Sequence, residues 1–220
     1  MKFLKYTALL LVILGVIFGV VYIISGKQKP EAVPSISPVS TNSPNLFSNF
    51  SLEDAPSESL RGQITKMKGN IDWQGRTATE AAGISAPITI QQGENLITEA
   101  GGSLTLVFQN ACSLNFSEKT EIDIIQTLPA DIVFSQVSGV AEYSKTGSYP
   151  IDIRTSTLLT ELMGDATISR NPLKPIVTVF VKSGSAIVAY NDLKYISHEV
   201  TINAGQTYTF NYGTRRGVAR

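Results

Sequence analysis

The sequence predicts an all-β domain behind one N-terminal membrane-spanning helix. Between residues 176 and 210, apolar and polar residues alternate in three short runs that glycine turns interrupt, which is typical of β-strands. No stretch of residues 60–212 keeps a helical period over the roughly ten residues that a helix needs. A glycine followed by an alternating run also recurs at steps of 20 to 25 residues, at Gly139, Gly164, Gly184 and Gly205.

The glycine period bears on the architecture of the domain. Each step has room for two or three short strands with their turns, because a strand rises about 3.3 Å per residue. A period of this length favours stacked strands in the manner of a β-solenoid. A β-sandwich, whose turn signals recur about every 8 to 12 residues, is the alternative.

The N-terminal residues predict a signal anchor. Residues 7–24 carry no charge, and at about 1.5 Å per residue they nearly match a hydrocarbon core of about 30 Å. The apolar character continues to Ile24 without a small-residue cleavage site, so we expect the helix to stay uncleaved. Residues 1–6 would remain as a short cytoplasmic tail, with the C-terminal domain outside.

Two further segments flank the folded domain. Residues 25–59 are rich in Pro, Ser, Asn and Thr, a composition that predicts an extended spacer. The β-domain is expected over residues 60–212. A basic tail follows at residues 213–220, with Arg215, Arg216 and Arg220, and a solvated, frayed terminus is the expectation there.

Composition excludes several classes of protein. The formal net charge is zero, from 18 basic and 18 acidic residues, so no overall field attracts nucleic acid. One cysteine, Cys112, rules out an intrachain disulfide. Its strand-like surroundings predict a small buried apolar side chain.

Several pieces of the domain resemble the FecR domain, a periplasmic β-domain of iron-dicitrate sensors and other bacterial envelope proteins. The resemblance is carried by residues 93–98 (GENLIT), 101–108 (GGSLTLVF) and 200–206 (VTINAGQ), in that order. It implies an extracytoplasmic domain that binds a protein or a ligand. Two features depart from the family: Met163-Gly164-Asp165 replaces the usual R-G-T, and residues 1–6 are too short for a cytoplasmic sigma-regulating segment.

Few residues suggest catalytic or metal chemistry, and we expect no cofactor and no metal. His198 is the single histidine, which excludes multi-histidine metal sites; a solvated position on a strand edge is expected. Glu121 and Asp123 would share one face of a strand, but they lack the spacing of a calcium loop and predict a solvated face.

The tyrosines allow two interpretations. Six of them could form a surface that stacks on sugars or peptides, or they could simply be strand formers, which is the interpretation we favour. They are Tyr143, Tyr149, Tyr190, Tyr195, Tyr208 and Tyr212.

We therefore expect a non-enzymatic, single-pass bacterial envelope protein that binds another envelope protein or a cell-wall polymer. The alternative is a transmembrane sensor related to FecR, which the short inner tail disfavours. A wall-modifying enzyme is the third hypothesis. Gly15 and Gly19 form a G-x-x-x-G pair that predicts weak homodimerisation through the membrane helix. The sequence assigns no binding residue to any partner.

Overall fold

The computed structural model describes residues 54–220, which form seventeen β-strands and no helix. The first nine are β1 Gly62–Lys68, β2 Ile71–Gln74, β3 Ala82–Ile84, β4 Thr89–Ile90, β5 Asn95–Thr98, β6 Ser103–Phe108, β7 Cys112–Phe116, β8 Thr120–Leu128 and β9 Asp131–Lys145. The others are β10 Ile151–Thr155, β11 Leu158–Leu162, β12 Asp165–Asn171, β13 Ile176–Ser183, β14 Ser185–Asn191, β15 Ser197–Asn203, β16 Thr207–Asn211 and β17 Arg216–Ala219. The prediction of an all-β domain is confirmed.

The strands form two ladders that share β9. Ladder A has the order β4-β1-β6-β7-β9-β12-β13-β16-β17. Ladder B has the order β3-β2-β5-β8-β9-β10-β11-β14-β15. All neighbours are antiparallel except β9 and β10. Beyond the first few strands, each ladder therefore grows in chain order.

The ladders pack face to face across one hydrophobic core. Phe108 of ladder A lies 5.6 Å, between ring centroids, from Phe134 of ladder B. At the C-terminal end, Tyr190 of ladder B lies 4.8 Å from Phe210 of ladder A. The alternation that predicted the strands produces this core, because every second residue of β6 and β7, and of β13 as far as Val181, is buried.

Strand β9 passes from one ladder to the other at Gly139. Residues 131–138 pair in ladder B and residues 139–145 in ladder A. Gly139 has φ +83°, and Thr120 Oγ1 bridges the backbone of Val140 beside it, accepting from its N–H and donating to its C=O at 3.0 Å each. A single strand of 15 residues therefore continues through Ser138-Gly139.

The glycine period marks the crossings between the ladders. Gly164 lies between β11 and β12, Gly184 between β13 and β14, and Gly205 between β15 and β16, and the chain changes ladder at each. The coils of a β-solenoid pair in parallel, whereas these neighbours are antiparallel, so the pairing favours the sandwich alternative.

Both ends of the described chain are attached to the domain. Ala55 and Ser59, in the predicted spacer, are buried, and the Ser59 hydroxyl donates to Gln92 Oε1 at 3.1 Å. In the predicted basic tail, residues 216–219 pair with β16 as strand β17. The expected frayed terminus is thus an ordered edge strand, because its backbone continues the antiparallel ladder.

The predicted inner tail (1–6), the anchor (7–24) and residues 25–53 of the spacer lie outside the described residues. Within residues 54–220, no helix has the length and hydrophobicity to cross a membrane.

Candidate binding surface

The outer face of ladder B presents two long rows of cross-strand neighbours. The pairing register aligns one row as Asp123, Ser135, Arg154, Leu159, Ala189 and Glu199. It aligns the other as Val133, Asp152, Glu161, Ile187 and Thr201. The alternate residues of the same strands, such as Ile153 and Val188, are buried in the core. Strand alternation therefore aims both rows outward.

This outer face is acidic although the whole chain has zero formal net charge. The register places seven carboxylates on it: Asp72, Glu121, Asp123, Asp131, Asp152, Glu161 and Glu199. Within the two rows, Arg154 is the one basic side chain. Charge is thus segregated on the domain, and this face attracts cationic groups.

A shallow groove of about 400 Å³ lies on the same face. Its floor includes Leu159 and Ala189, and Asp131, Asp152 and Arg154 lie along it. Partial burial raises the pKa of Asp152 to about 6, with further contributions from the Asp131 and Glu161 carboxylates; Arg154 and Lys145 oppose the shift. The groove therefore holds carboxylates that the neighbouring cations do not fully compensate.

His198 lies at the end of this groove, beside the edge of ladder B. Its Nε2 atom lies 3.2 Å from Asp192 Oδ2, and its ring stacks on Tyr190 at 5.1 Å between centroids. Hydrogen bonds from the Ile196 N–H and from His198, and then from the Lys194 N–H, lower the pKa of Asp192. The predicted edge position is confirmed, but the side chain, 41% exposed, anchors the turn between β14 and β15.

Glu121 and Asp123, the two carboxylates expected to share a strand face, both accept hydrogen bonds from the side-chain amide of Asn95. Asn95 Nδ2 donates to Asp123 Oδ1 at 2.7 Å and to Glu121 Oε1 at 3.4 Å. The two carboxylates share the outer face, as strand alternation predicted, and both are half-buried. Among residues 54–220, no group of three or more His, Cys, Asp or Glu side chains is arranged to hold a metal ion.

Cys112 is a buried free thiol, as the sequence predicted. It is 1% exposed and packs in the core at the start of β7. Burial raises the pKa of the Cys112 thiol to about 12, against the opposing charge of Lys145. The thiol is therefore protonated at neutral pH, and nucleophilic chemistry would require the thiolate.

The six tyrosines do not share one surface. Tyr143 and Tyr208 are core residues, Tyr195 is 81% exposed in the turn before β15, and Tyr212 lies under the Arg170 guanidinium at 5.8 Å. The strand-former interpretation therefore describes them better than a common stacking platform.

Some residues of the acidic face were missed by sequence reasoning. Asp152, Glu161 and Glu199 lie on three different strands, and only the pairing register brings them together. Residues 151–155 and 158–162 alternate between buried and outward positions in the structure, but the sequence contains no signal for which strands become neighbours.

Comparisons with known proteins give limited information. No protein-family model matches the chain, and no curated protein matches it. Two crystal structures, at 2.50 and 1.65 Å resolution, of a candidate anti-sigma factor from Parabacteroides distasonis ATCC 8503 match in part. Each match has 10% identity and a TM-score of 0.49, and covers 57% of this chain and 58% of the neighbour. The chain thus spans less than two thirds of those neighbours, and the likeness carries no argument about function.

Proposed function

We propose that this chain is a FecR-like protein of the bacterial cell envelope, in which a single membrane helix and a spacer carry an extracytoplasmic β-domain that binds another macromolecule. The anchor and the orientation rest on the apolar residues 7–24 and the flanking lysines. The binding role rests on the acidic outer face of ladder B. A protein or a wall polymer with cationic groups is the expected partner.

The single observation that carries the binding role is the open groove among uncompensated carboxylates. A groove that is wide and shallow suits a macromolecular surface better than a small substrate, which enzymes usually enclose. The carboxylates of the surrounding acidic face disfavour the phosphate backbone of a nucleic acid. The proposal is of a non-enzymatic role, which the buried, protonated thiol of Cys112 supports.

Site-specific photocrosslinking in cells tests the binding role. A photoreactive amino acid replaces Ala189 in the groove, and in a matched strain it replaces Thr178, which projects from the outer face of ladder A. The full-length protein is used, so that the anchor stays in place. We expect a discrete adduct from position 189 and none from position 178. Equal adducts at both positions, or none at 189, would contradict the proposal.

A protease-protection experiment tests the location. In intact spheroplasts, an external protease should degrade the domain, and residues 1–24 should stay with the membrane. Protection of the domain until the membrane is permeabilised would refute the extracytoplasmic orientation.

A further inference from the structure

Strand β15 ends ladder B with an unpaired edge. Among the described residues it pairs with β14 on one side. No pairing register in this part of the chain places a strand on its other side, since β16 pairs with β13 and β17 instead. The Asn203 N–H turns away from β14 and donates to Gln206 Oε1 of its own turn at 2.8 Å. Because N–H directions alternate along a strand, the N–H and C=O groups of Thr201 and Glu199 also face the open edge.

The two faces of β15 offer different side chains to an added strand. On the core side, Ile202 is buried, while Val200 and His198 are half-buried at the margin of the core. On the outer side, Glu199 and Thr201 end the two rows of the acidic face. A neighbouring strand would therefore need apolar residues inward and basic residues outward.

Exposed apolar side chains lie next to this edge. Leu193, Tyr195 and Ile196, in the turn that leads into β15, are 64%, 81% and 55% exposed. Three large exposed apolar side chains within four residues are unusual on a soluble surface.

We propose that β15 is an acceptor edge, and that a segment of a partner protein joins ladder B as an additional strand in which lysine or arginine alternates with apolar residues. The backbone edge supplies the hydrogen bonds of strand addition. Glu199, on β15 itself, supplies the charge that selects the basic residues. Glu161 and Asp152, on the second and third strands inward of β15, add only to the negative potential of the face. This inference rests on the proposed binding role and names the chemistry of the partner.

A second copy of the chain fits this edge less well. Pairing β15 with another β15 would join two acidic faces edge to edge, and like charges on neighbouring strands are destabilising. A cationic strand removes that repulsion. Charge complementarity therefore favours a different protein as the occupant.

A peptide titration tests the charge selection. The full-length protein in detergent is titrated into a fluorescein-labelled peptide that alternates lysine and valine, and anisotropy is measured at low and at physiological salt. We expect the triple variant Asp152→Asn, Glu161→Gln, Glu199→Gln to bind about tenfold more weakly at low salt, because Glu199 would lie next to the added strand and contribute up to about 1 kcal/mol, while the two more distant carboxylates add a long-range attraction that low salt leaves unscreened. At physiological salt the loss should be smaller. The matched control, Glu58→Gln, Glu80→Gln, Glu99→Gln, removes three exposed carboxylates elsewhere and should bind like wild type. Equal losses in the two triple variants would overturn the inference.

Two changes that remove backbone hydrogen-bond donors, one in the peptide and one in β15, test the strand addition itself. N-methylation of alternate residues of the peptide should abolish binding, because the methyl groups remove its donors. Thr201→Pro should weaken binding of the unmodified peptide at least tenfold, since proline removes an edge N–H; Thr201→Ala keeps that donor and is the control. Circular dichroism checks that both variants fold. Undiminished binding of the methylated peptide would refute strand addition even if Thr201→Pro failed to fold.

The outcomes separate this inference from the proposed function. Two results together would reject the acceptor edge but keep the proposed binding face: a crosslinked adduct at position 189 in cells, and peptide binding that N-methylation does not weaken. A concentration-dependent dimer in sedimentation velocity that Thr201→Pro abolishes would also overturn the inference, with a second copy as the occupant.

Discussion

Replacing Gly139 by alanine tests whether the crossing of β9 requires glycine. Gly139 has φ +83°, a conformation that costs an L-residue about 1–2 kcal/mol. A Cβ atom there would also lie only 2.5 Å from the Lys119 carbonyl oxygen and even closer to the Thr120 backbone. No flexible side-chain end can move aside to relieve that contact, so the backbone of β8 must shift.

The magnitude follows from what the shift would disturb. The Thr120 hydroxyl makes two hydrogen bonds to Val140, each 3.0 Å long, and bonds of this type contribute about 0.5–1.5 kcal/mol each. Together with the conformational cost, Gly139→Ala should lower the free energy of unfolding by about 2–5 kcal/mol. For a domain of this size, the melting temperature would fall by roughly 4–20 °C.

Gly205 provides a matched control. It has the same φ of +83°, but a Cβ atom there would meet nothing within 4 Å. Gly205→Ala should therefore cost only the conformational term, about 1–2 kcal/mol. The difference between the two variants isolates the close approach of β8 to β9.

Thermal unfolding of the full-length protein in detergent, followed by fluorescence, is the assay. Trp73 is the single tryptophan, and its Nε1 donates to the buried Glu94 carboxylate at 3.1 Å, so it reports on ladder B. Equal losses of stability in Gly139→Ala and Gly205→Ala would refute the reasoning, since they would show that the contact with β8 carries no cost.

Three other substitutions or modifications have defined expected outcomes. Gln136 is buried, donates to the Gly139 and Ile168 carbonyls at 3.0 and 3.1 Å, and accepts from the Tyr143 hydroxyl at 3.1 Å. Gln136→Leu should lower the free energy of unfolding by about 3–5 kcal/mol, because three polar groups lose their partner. Denaturant unfolding measures this, and a loss below about 1 kcal/mol would contradict it. The Cys112 thiol should resist maleimide at pH 7.5 in the folded protein and react fully in guanidinium chloride; rapid labelling of the native protein would disprove its burial. Because the pKa of Asp152 is raised, the folded state binds the proton of this carboxyl group more tightly than the unfolded state does. The protonated group therefore contributes to the free energy of unfolding below about pH 4, and this contribution is lost as the pH rises through about 6. Asp152→Asn should accordingly raise the melting temperature at pH 7.5 by roughly 2–4 °C, a value discounted for the partial exposure of Asp152. At pH 3.5 the substitution should leave the melting temperature unchanged. A fall in melting temperature at pH 7.5 would contradict the predicted direction of the effect.

The period-2 pattern was sufficient to predict most strands and the core side of each. Leu104, Leu106 and Phe108 are buried as alternation requires, because a strand can bury only one face against a single core. The same reasoning predicted the burial of Cys112. Local pattern thus determines which residues enter the core.

Pairing and crossings were less accessible from the sequence. The recurring glycines were recognised, but their local sequence does not distinguish a crossing between facing ladders from a turn between stacked coils. The β9–β10 pair is parallel, and its long-range register depends on the whole sheet. Since the acidic face combines residues of separate strands, it could be seen only after the register was known.

The growth of both ladders in chain order has a consequence for how the protein is made. Strands β10 to β17 add to a template that β1 to β9 have already built, so synthesis from the N-terminus can complete the first half of the domain before the second half leaves the ribosome. The last hairpins are added to a finished surface, and β15 keeps its free edge when folding ends.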